Sequence, residues 1–584
     1  MMLLPKDEIA WSNMNKIHVL PAELAQKIAA GEVIERPVSV VKELVENALD
    51  AGATDIRVEL AEGGKKQIKV QDNGSGMSRE DAALSFRRHS TSKISSEEDL
   101  ERISTLGFRG EALASIAAVS KLALRTYDGS EDRGTLLERE GEKLVAVTDI
   151  AFPRGTAVEV RDLFFNLPAR RKFLRSATSE LGLIAKSLTQ TALANPGVRF
   201  VLAHGNREVV NCPPVGSLRD RIFQLFGKDL VDGLMEVAAI EGEGRLHGFV
   251  SRPLRGRADR SVQFFFVNDR PVKDRILQAA LNQAYAGILE RARSAEAFLF
   301  LTLPFADVDV NVHPAKAEVR FRDSQLVFRL VLRAVEHATL KERTVKDVYP
   351  AAGESWTPQG VAEPVAAALA FGAAEAEAKA GPYRGTAGDA DARPAKSGSV
   401  PGVLGQFQNI YIVAETEDGL LVIDQHNAHE RVLYEKYLEI DRRKLWPRKA
   451  LLIPEVLDLS PSQAVALEES TVLFEEMGFR AEPMGGRSVA LKEYPDVFKP
   501  EEAREVFLAL LEETESDKAQ DRRDRFLATL ACKTAVKAGA PLTAEKMGYL
   551  VAELFKTSQP ALCPHGRPIV VKVPRAQLDK GLRR

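Results

Sequence analysis

The chain has 584 residues, of which 45% are hydrophobic and 28% charged, with a formal net charge of −3. This is a globular composition with room for two to four domains, and its near-balanced charge excludes nucleic-acid binding by overall basicity. The three cysteines, Cys212, Cys532 and Cys563, exclude a disulfide framework, and no apolar run is long enough to span a membrane, so the expectation is a cytoplasmic protein.

Residues 1–13 precede an internal methionine, Met14, and read as a disordered extension or a misassigned start. The stretch "VVKELVENALDAGATDIRVEL", residues 40 to 60, predicts a helix followed by a strand. Glu43, Asn47 and Asp50 fall at i, i+4 and i+7 and form one polar stripe. Val40, Val41, Leu44, Val45, Ala48 and Leu49 form the opposite, apolar side. Taken alone this is an amphipathic helix with a wet face.

An alternating strand, "KQIKVQD", then leads into Asp72-Asn73-Gly74-Ser75-Gly76. This is hairpin-turn chemistry, and it also lets backbone approach a ligand closely. The run "RRHSTSKI", residues 87 to 94, is basic and hydroxyl-rich, either a solvated loop or a lid over phosphate. "STLGFRGEALASIAAVS", residues 104 to 120, places glycines and Arg109 just before a helix, where free N–H groups attract anions. Basic clusters recur at 168–175, 251–260 and 268–275.

Residues 351–402 are rich in Ala, Gly and Pro and read as a flexible linker. Strand patterning resumes at about 403 with "NIYIVAETEDGLLVIDQH" and a turn at Glu417-Asp418-Gly419. Asp424 and His426 fall where that strand meets a helix, with Glu430 and Glu435 further along it. Cys532 lies in "LATLACKTAVKAGAPL", and Cys563 and His565 lie in "ALCPHGRPIVVKV". Cys, His and carboxylate donors together suit Zn²⁺, or Mn²⁺ at the harder positions. A buried structural thiol beside helix-capping groups is the alternative.

The ordered set of Glu and Asn on a helix, Asp-x-Gly-x-Gly after a strand, Gly-Phe-Arg-Gly-Glu-Ala-Leu and Gly155-Thr156 resembles the ATP-binding fold of DNA gyrase, sensor histidine kinases, heat-shock chaperones and MutL proteins. The strings "IAAGEVIERPVSVVKELVENALDAGA", "GFRGEAL", "LFFNLPARRKFL" and "FVNDRPVKDR" are similar to the mismatch-repair MutL family over residues 14 to about 340. The resemblance implies an α+β chain. An ATPase α/β sandwich would occupy 14–225, a second, ribosomal S5-like transducer subdomain 226–340, the linker 341–402, and a dimerisation and endonuclease domain 403–584.

It also implies roles. Glu43 would be the general base toward the γ-phosphate, Asn47 a Mg²⁺ ligand, and Asp72, with Thr156, the adenine contact of ATP. Gly76, Ser90, Thr91, Gly107, Phe108, Arg109 and Gly110 would line the nucleotide. Lys316, in "VDVNVHPAKAEVRF", would reach the γ-phosphate from the second subdomain. Arg270, Lys273 and Arg275 would contact DNA. Asp424, His426, Glu430, Cys532, Cys563 and His565 would hold Zn²⁺ or Mn²⁺ for nicking, with Asp424 and Glu430 catalytic. The implied partners are DNA, the mismatch-recognition protein MutS, a second copy of the chain and the sliding clamp.

Three departures stand out: Asn427 where the family usually has Ala, Leu582 where Phe is common, and Lys449 at the usual Gln of the clamp-binding segment "RKALLIP". An ATP-dependent matchmaker clamp without nuclease activity is the alternative function. A topoisomerase subunit fits less well, because no strand-cleaving Tyr context follows the ATPase. A chaperone is disfavoured by the metal-type strings, and a sensor kinase by the lack of a phosphoacceptor helix.

Overall fold

A computed structural model of the chain describes residues 34–87, 90–93, 110–253, 255–257, 260–289, 293–309, 319–347, 401–512, 519–537 and 539–582. Residues 348–400 of the expected linker 341–402, the N-terminal extension, Gly107, Phe108, Arg109 and Lys316 lie outside the described residues.

The helix expected from the opening stripe forms as α1, Pro37–Asp50. Pro37 starts it, where a missing N–H costs nothing. It packs Val40, Val41, Leu44, Val45 and Ala48 into the core. The strands that follow are β1 (Asp55–Ala61), β2 (Gln67–Asp72), β3 (Lys121–Tyr127), β4 (Gly134–Glu140), β5 (Lys143–Ile150), β6 (Gly155–Arg161), β7 (Arg199–His204) and β8 (Arg207–Cys212). They form one sheet in the order β5-β4-β3-β6-β2-β1-β7-β8, with β1 and β7 parallel. A second helix, α2 (Ala177–Ala194), lies beside α1 in the same core.

Strand alternation explains the layering. Ile56, Val58, Leu60, Ile68 and Val70 point into the helix layer. The opposite face carries Arg57, Glu59, Lys69, Arg125 and Glu159, joined by Arg57–Glu59 at 2.8 Å, Lys69–Glu59 at 3.2 Å and Arg125–Glu159 at 3.2 Å. One face is dry and the other wet, as a largely antiparallel sheet allows.

The second subdomain has β9 (Leu234–Glu241), β10 (Gly244–Ser251), β11 (Gln263–Val267), β12 (Arg270–Val272) and β13 (Ala297–Thr302), in the order β12-β11-β13-β10-β9. Helices α3 (Arg275–Ala284) and α4 (Ser324–Asp347) pack against each other, and α4 covers β9 and β10. Asn268 and Asp269 turn β11 back into β12 with φ of 47° and 63°, the left-handed pair of a tight hairpin. The short strands β14 (Val308–Asp309) and β15 (Arg320–Phe321) pair with each other. The expected boundary at 340 falls inside α4. Val327, Leu330, Val331, Ala334 and Val335 give that helix a continuous buried stripe, and it continues to Asp347.

In the C-terminal part, β16 (Gly402–Phe407), β17 (Tyr411–Thr416) and β18 (Gly419–Asp424) form a meander, with the expected turn between β17 and β18. Strands β19 (Arg448–Asp458), β20 (Arg480–Gly485) and β21 (Ser488–Pro495) form a second sheet, and β22 (Val570–Pro574) returns to pair with β18. Helix α5 (Gln425–Arg442) runs directly out of β18. Its first half packs Ala428 with Ile412, Ile423, Val551 and Cys563, and its second half packs Tyr437 with Trp446, Phe474 and Phe526. Helix α6 (Ala519–Thr534) lies along it. One helix therefore joins two cores, and its N-terminal half carries the residues of interest.

Candidate functional site

Two constellations stand out, one in each half of the chain. In the first, α1 packs against β2 and carries Glu43, Asn47 and Asp50, all three half-buried. Asp72 is the last residue of β2 and pairs in register with Thr156 of β6. Burial holds the Asp72 carboxyl above the ordinary carboxylate range, against backbone hydrogen bonds from Gly74 and Thr156 that favour its charged form. Gly74 N–H donates to Asp72 Oδ1 at 2.8 Å. Thr156 Oγ1 lies 3.1 Å from Thr126 Oγ1, whose oxygen accepts the Met77 N–H at 2.9 Å.

The glycines are there for space. A Cβ on Gly76, with φ +74°, would lie 2.0 Å from the Tyr127 carbonyl oxygen. One on Gly155 would lie 2.2 Å from the Asp72 oxygen, and one on Gly110 (φ +62°) 2.7 Å from the Ser90 oxygen. The Asp-x-Gly-x-Gly turn is thus pressed against β3, and the Gly110 backbone meets Ser90 of the hydroxyl-rich run. Thr91 Oγ1 accepts from Lys93 N–H at 3.1 Å, which shapes that run into a tight turn.

Two features escaped sequence reasoning. Asn73 accepts from the N–H groups of Thr54 and Asp55 at 2.8 and 2.9 Å, pinning the turn to the start of β1. Lys93 places its ammonium on Asn47 Oδ1 at 2.8 Å and on the Asp50 carboxylate. The acidic side of α1 is thereby neutralised at the very amide oxygen expected to hold Mg²⁺. The sequence signal for this was a lysine within a run read as either a solvated loop or a lid over phosphate.

The expected DNA contacts divide. Lys273 and Arg275 are exposed. Arg270 is buried, 7% exposed, and burial pulls its guanidinium below its ordinary range while the nearby carboxylates of Glu46 and Asp50 oppose that shift. It is an internal cation facing α1, not a surface contact. Its basic neighbours in the sequence hid this, because the β11–β12 hairpin folds it inward.

The second constellation gathers on α5. Glu430 (buried), Cys563 (buried) and His565 (exposed) bring donor atoms within 4.8 Å of one another. Burial pushes the Glu430 carboxyl up, but its hydrogen bond with His565 and the positive charge there outweigh this and hold it below the ordinary range. His426 lies one turn before Glu430. Its Nδ1 donates to the Val536 carbonyl at 2.9 Å, and its Nε2 is 4.0 Å from Cys532 Sγ. Burial raises the Cys532 thiol, and Glu430 adds to that. Asp424 does something else. Its Oδ1 accepts the Asn427 N–H at 2.9 Å and caps α5. Of the six expected ligands the structure brings together Glu430, Cys563 and His565, sets His426 and Cys532 side by side, and uses Asp424 to start the helix.

A thiol, an imidazole and a carboxylate in one cluster form a donor set that fits zinc, with the carboxylate also suited to manganese. His429 was missed by the sequence reading. It is a third α5 residue at this junction, accepting the Val536 N–H on Nδ1 at 2.9 Å, and burial followed by the neighbouring His426 pushes its pKa down.

Three family signatures match the chain. One is described as a histidine kinase-, DNA gyrase B- and HSP90-like ATPase, over residues 35–152. Another is the C-terminal domain of DNA mismatch repair protein, over residues 222–340, and the third is the MutL C terminal dimerisation domain, over residues 404–542. The chain is similar to the DNA mismatch repair protein MutL of Koribacter versatilis, 39% identical over 98% of this chain and 100% of that protein. Similarity to the MutL of an Anaeromyxobacter species is 40% over 97% and 99%, and to that of Symbiobacterium thermophilum 38% over 98% and 100%. Among solved structures, the Aquifex aeolicus MutL ATPase domain complexed with ADP is 33% identical and covers 51% of this chain and 98% of that one, with a TM-score of 0.36.

Proposed function

Because the chain belongs to the MutL family of DNA mismatch repair proteins, with an ATPase domain and a C-terminal dimerisation domain, we propose that ATP binding closes its N-terminal parts on DNA and that its C-terminal cluster nicks the strand to be repaired. The meeting of Glu430, Cys563 and His565, from segments more than a hundred residues apart, carries the nuclease reading.

At the first site Asp72 accepts the adenine amino group, with Thr156 beside it, and the backbone around Gly76 and Gly110 admits the nucleotide closely. Ser90 and Thr91 would offer donors to the phosphates, and Gly107, Phe108 and Arg109, outside the described residues, are assigned there by the family resemblance. Glu43 orients and deprotonates the attacking water, and Lys316 adds a cation from the second subdomain. Asn47 would hold magnesium through its amide oxygen once the Lys93 ammonium that rests on it here is displaced. When bound, that ion neutralises charge on the β- and γ-phosphates.

At the second site Cys563, His565 and Glu430, with His426 and Cys532 adjoining, hold Zn²⁺ or Mn²⁺. When bound, the metal activates water and stabilises the displacement at the phosphodiester. Glu430 stands nearest to the catalytic role, and the capping bond keeps Asp424 at the helix start, beside the site. Lys273 and Arg275 contact the DNA backbone without reading sequence.

Two chains pair through the dimerisation domain, and MutS directs the complex to a mismatch in the cytoplasm. The exposed Leu452 and Ile453 of β19 offer a sliding clamp two apolar contacts, and Lys449 stands beside them, 3.7 Å from Asp496.

The test is Mn²⁺-dependent nicking of supercoiled plasmid by wild type and by Glu430→Gln. Nicking by wild type that is lost in the variant, with ATP hydrolysis retained in both, supports the reading. Equal nicking by both means that the assigned nuclease site is wrong, and nicking by neither favours the matchmaker clamp without nuclease activity.

A further inference from the structure

Helix α5 carries two adjacent stripes at i, i+4 spacing. His426 and Glu430 form the stripe that faces the cysteines. Asn427 and Arg431 form the next one, and both are nearly buried, at 9% and 6% exposure. Arg431 Nε donates to the Leu562 carbonyl at 2.7 Å. Asn427 Nδ2 donates to the Pro568 carbonyl at 3.3 Å. Those two carbonyls mark the two ends of one loop, because Leu562 and Pro568 face each other in an isolated antiparallel bridge. Within the loop, Cys563 N–H donates to Arg567 O and Gly566 N–H to Cys563 O, both at 2.9 Å. Gly566 takes φ +79°, which closes the turn.

The loop is therefore a small closed finger with Cys563 and His565 on it, and α5 grips its base on both sides. Arg431 is itself held, with its guanidinium 5.6 Å from the Tyr434 ring centroid and 4.0 Å from Glu435. Glu435 in turn accepts the Ser558 N–H at 2.9 Å and its hydroxyl at 2.7 Å, anchoring the chain that leads into the loop.

We propose that Asn427 and Arg431 are positioning residues for metal binding, clamping the two ends of the 562–568 loop so that Cys563 and His565 stand ready against Glu430. The inference rests on the metal-site reading above and adds to it the cause of the site's geometry. A ligand loop fixed in advance loses little freedom on binding. Outer partners of this kind commonly set metal affinity over ~10–100-fold. Asn427 is also where the chain departs from the family's usual Ala. An alanine side chain has no donor for Pro568 O, so this half of the clamp depends on the departure.

The experiment measures Zn²⁺ affinity of the full-length dimer by competition with a chromophoric chelator. Wild type is compared with Arg431→Gln, Arg431→Lys and Asn427→Ala, with dimer state and apo melting temperature recorded for each. Arg431→Gln is expected to weaken Zn²⁺ by ~10–100-fold. Arg431→Lys keeps a cationic donor and recovers part of that loss, and Asn427→Ala costs ~5-fold, the size of one neutral hydrogen bond. The zinc-induced rise in melting temperature shrinks in the same order. Should Arg431→Gln not fold, the other two variants decide.

Variants that bind Zn²⁺ as tightly as wild type overturn the clamp and leave the metal site standing. Wild type that takes up no Zn²⁺ overturns the metal site itself, and the clamp with it.

Discussion

The nucleotide constellation and the metal constellation are built in opposite ways. The first is drawn from neighbouring elements. Glu43 and Asn47 share α1, Asp72 ends β2, and Thr156 is set beside it by strand register. The second is assembled across the chain, since Glu430 on α5 meets Cys563 and His565 only because β22 returns to pair with β18. A site made from local periodicity survives small changes elsewhere, whereas a site closed by topology depends on whatever fixes the closing segment.

The sharpest way to separate them is to disable each alone. Glu43→Ala is expected to cut ATP hydrolysis by ~10²–10⁴-fold, the usual worth of a general base, with Zn²⁺ content unchanged. Steady-state phosphate release and metal analysis on one preparation check it, and a fall in zinc would mean that the two sites are coupled. Glu430→Gln does the reverse. It is expected to cost more metal affinity than the ~10–100-fold of an outer partner and to leave hydrolysis within error.

The glycines test the local site. Gly76→Ala forces a Cβ to within 2.0 Å of Tyr127 O at positive φ. It should cost about 1–3 kcal/mol of stability, seen as a lower denaturant midpoint, together with weaker nucleotide binding. Gly129→Ala, where nothing lies within 4 Å, is the comparison at another positive-φ glycine.

A smaller effect separates surface from interior cations. Lys273→Ala should lower the salt slope of DNA binding by about 1. Arg270→Gln should leave that slope unchanged and lower the melting temperature, because its charge meets Glu46 and Asp50 instead of phosphate. An equal change of slope in both variants would return Arg270 to the DNA surface.

The smallest effect concerns Asp72. Its folded pKa is raised by burial, so its contribution to stability is present below the unfolded value and is lost as pH rises through the folded one. At neutral pH the ionised carboxylate therefore strains the nucleotide-free fold. Asp72→Asn should raise the melting temperature slightly at pH 7 and lose that gain in acid, while nucleotide binding falls at both.

Much of this was legible in the residues. The polar stripe, the strand ending at Asp72 and the glycines of the turn after it are short-range features with a period or a spacing that can be read, whereas the partners that crowd those glycines, Tyr127 for Gly76 and Asp72 for Gly155, lie far off in the sequence. The closeness of Cys563 and His565 was legible from their spacing alone, but its geometry was not: Pro564 favours extended chain, whereas Pro564 and His565 lie in the turn that Gly566 closes on the Cys563 carbonyl. The inward turn of Arg270, the Lys93 bridge to Asn47 and the capping role of Asp424 were not legible either. Each depends on where a side chain's partner lies in space, and charge alone marks a basic residue as exposed. His429 went unnoticed because a histidine between His426 and Glu430 carries no spacing signal of its own.

Val536 carries a consequence of its own. Its carbonyl takes the proton of His426 Nδ1, and its N–H gives a proton to His429 Nδ1. Both imidazoles are therefore oriented through Nδ1 by a single residue: His426 donates there and turns its Nε2 toward Cys532, and His429 accepts there. Val536 stands two residues beyond the end of α6, so the packing of α6 along α5 fixes the seat of both rings together.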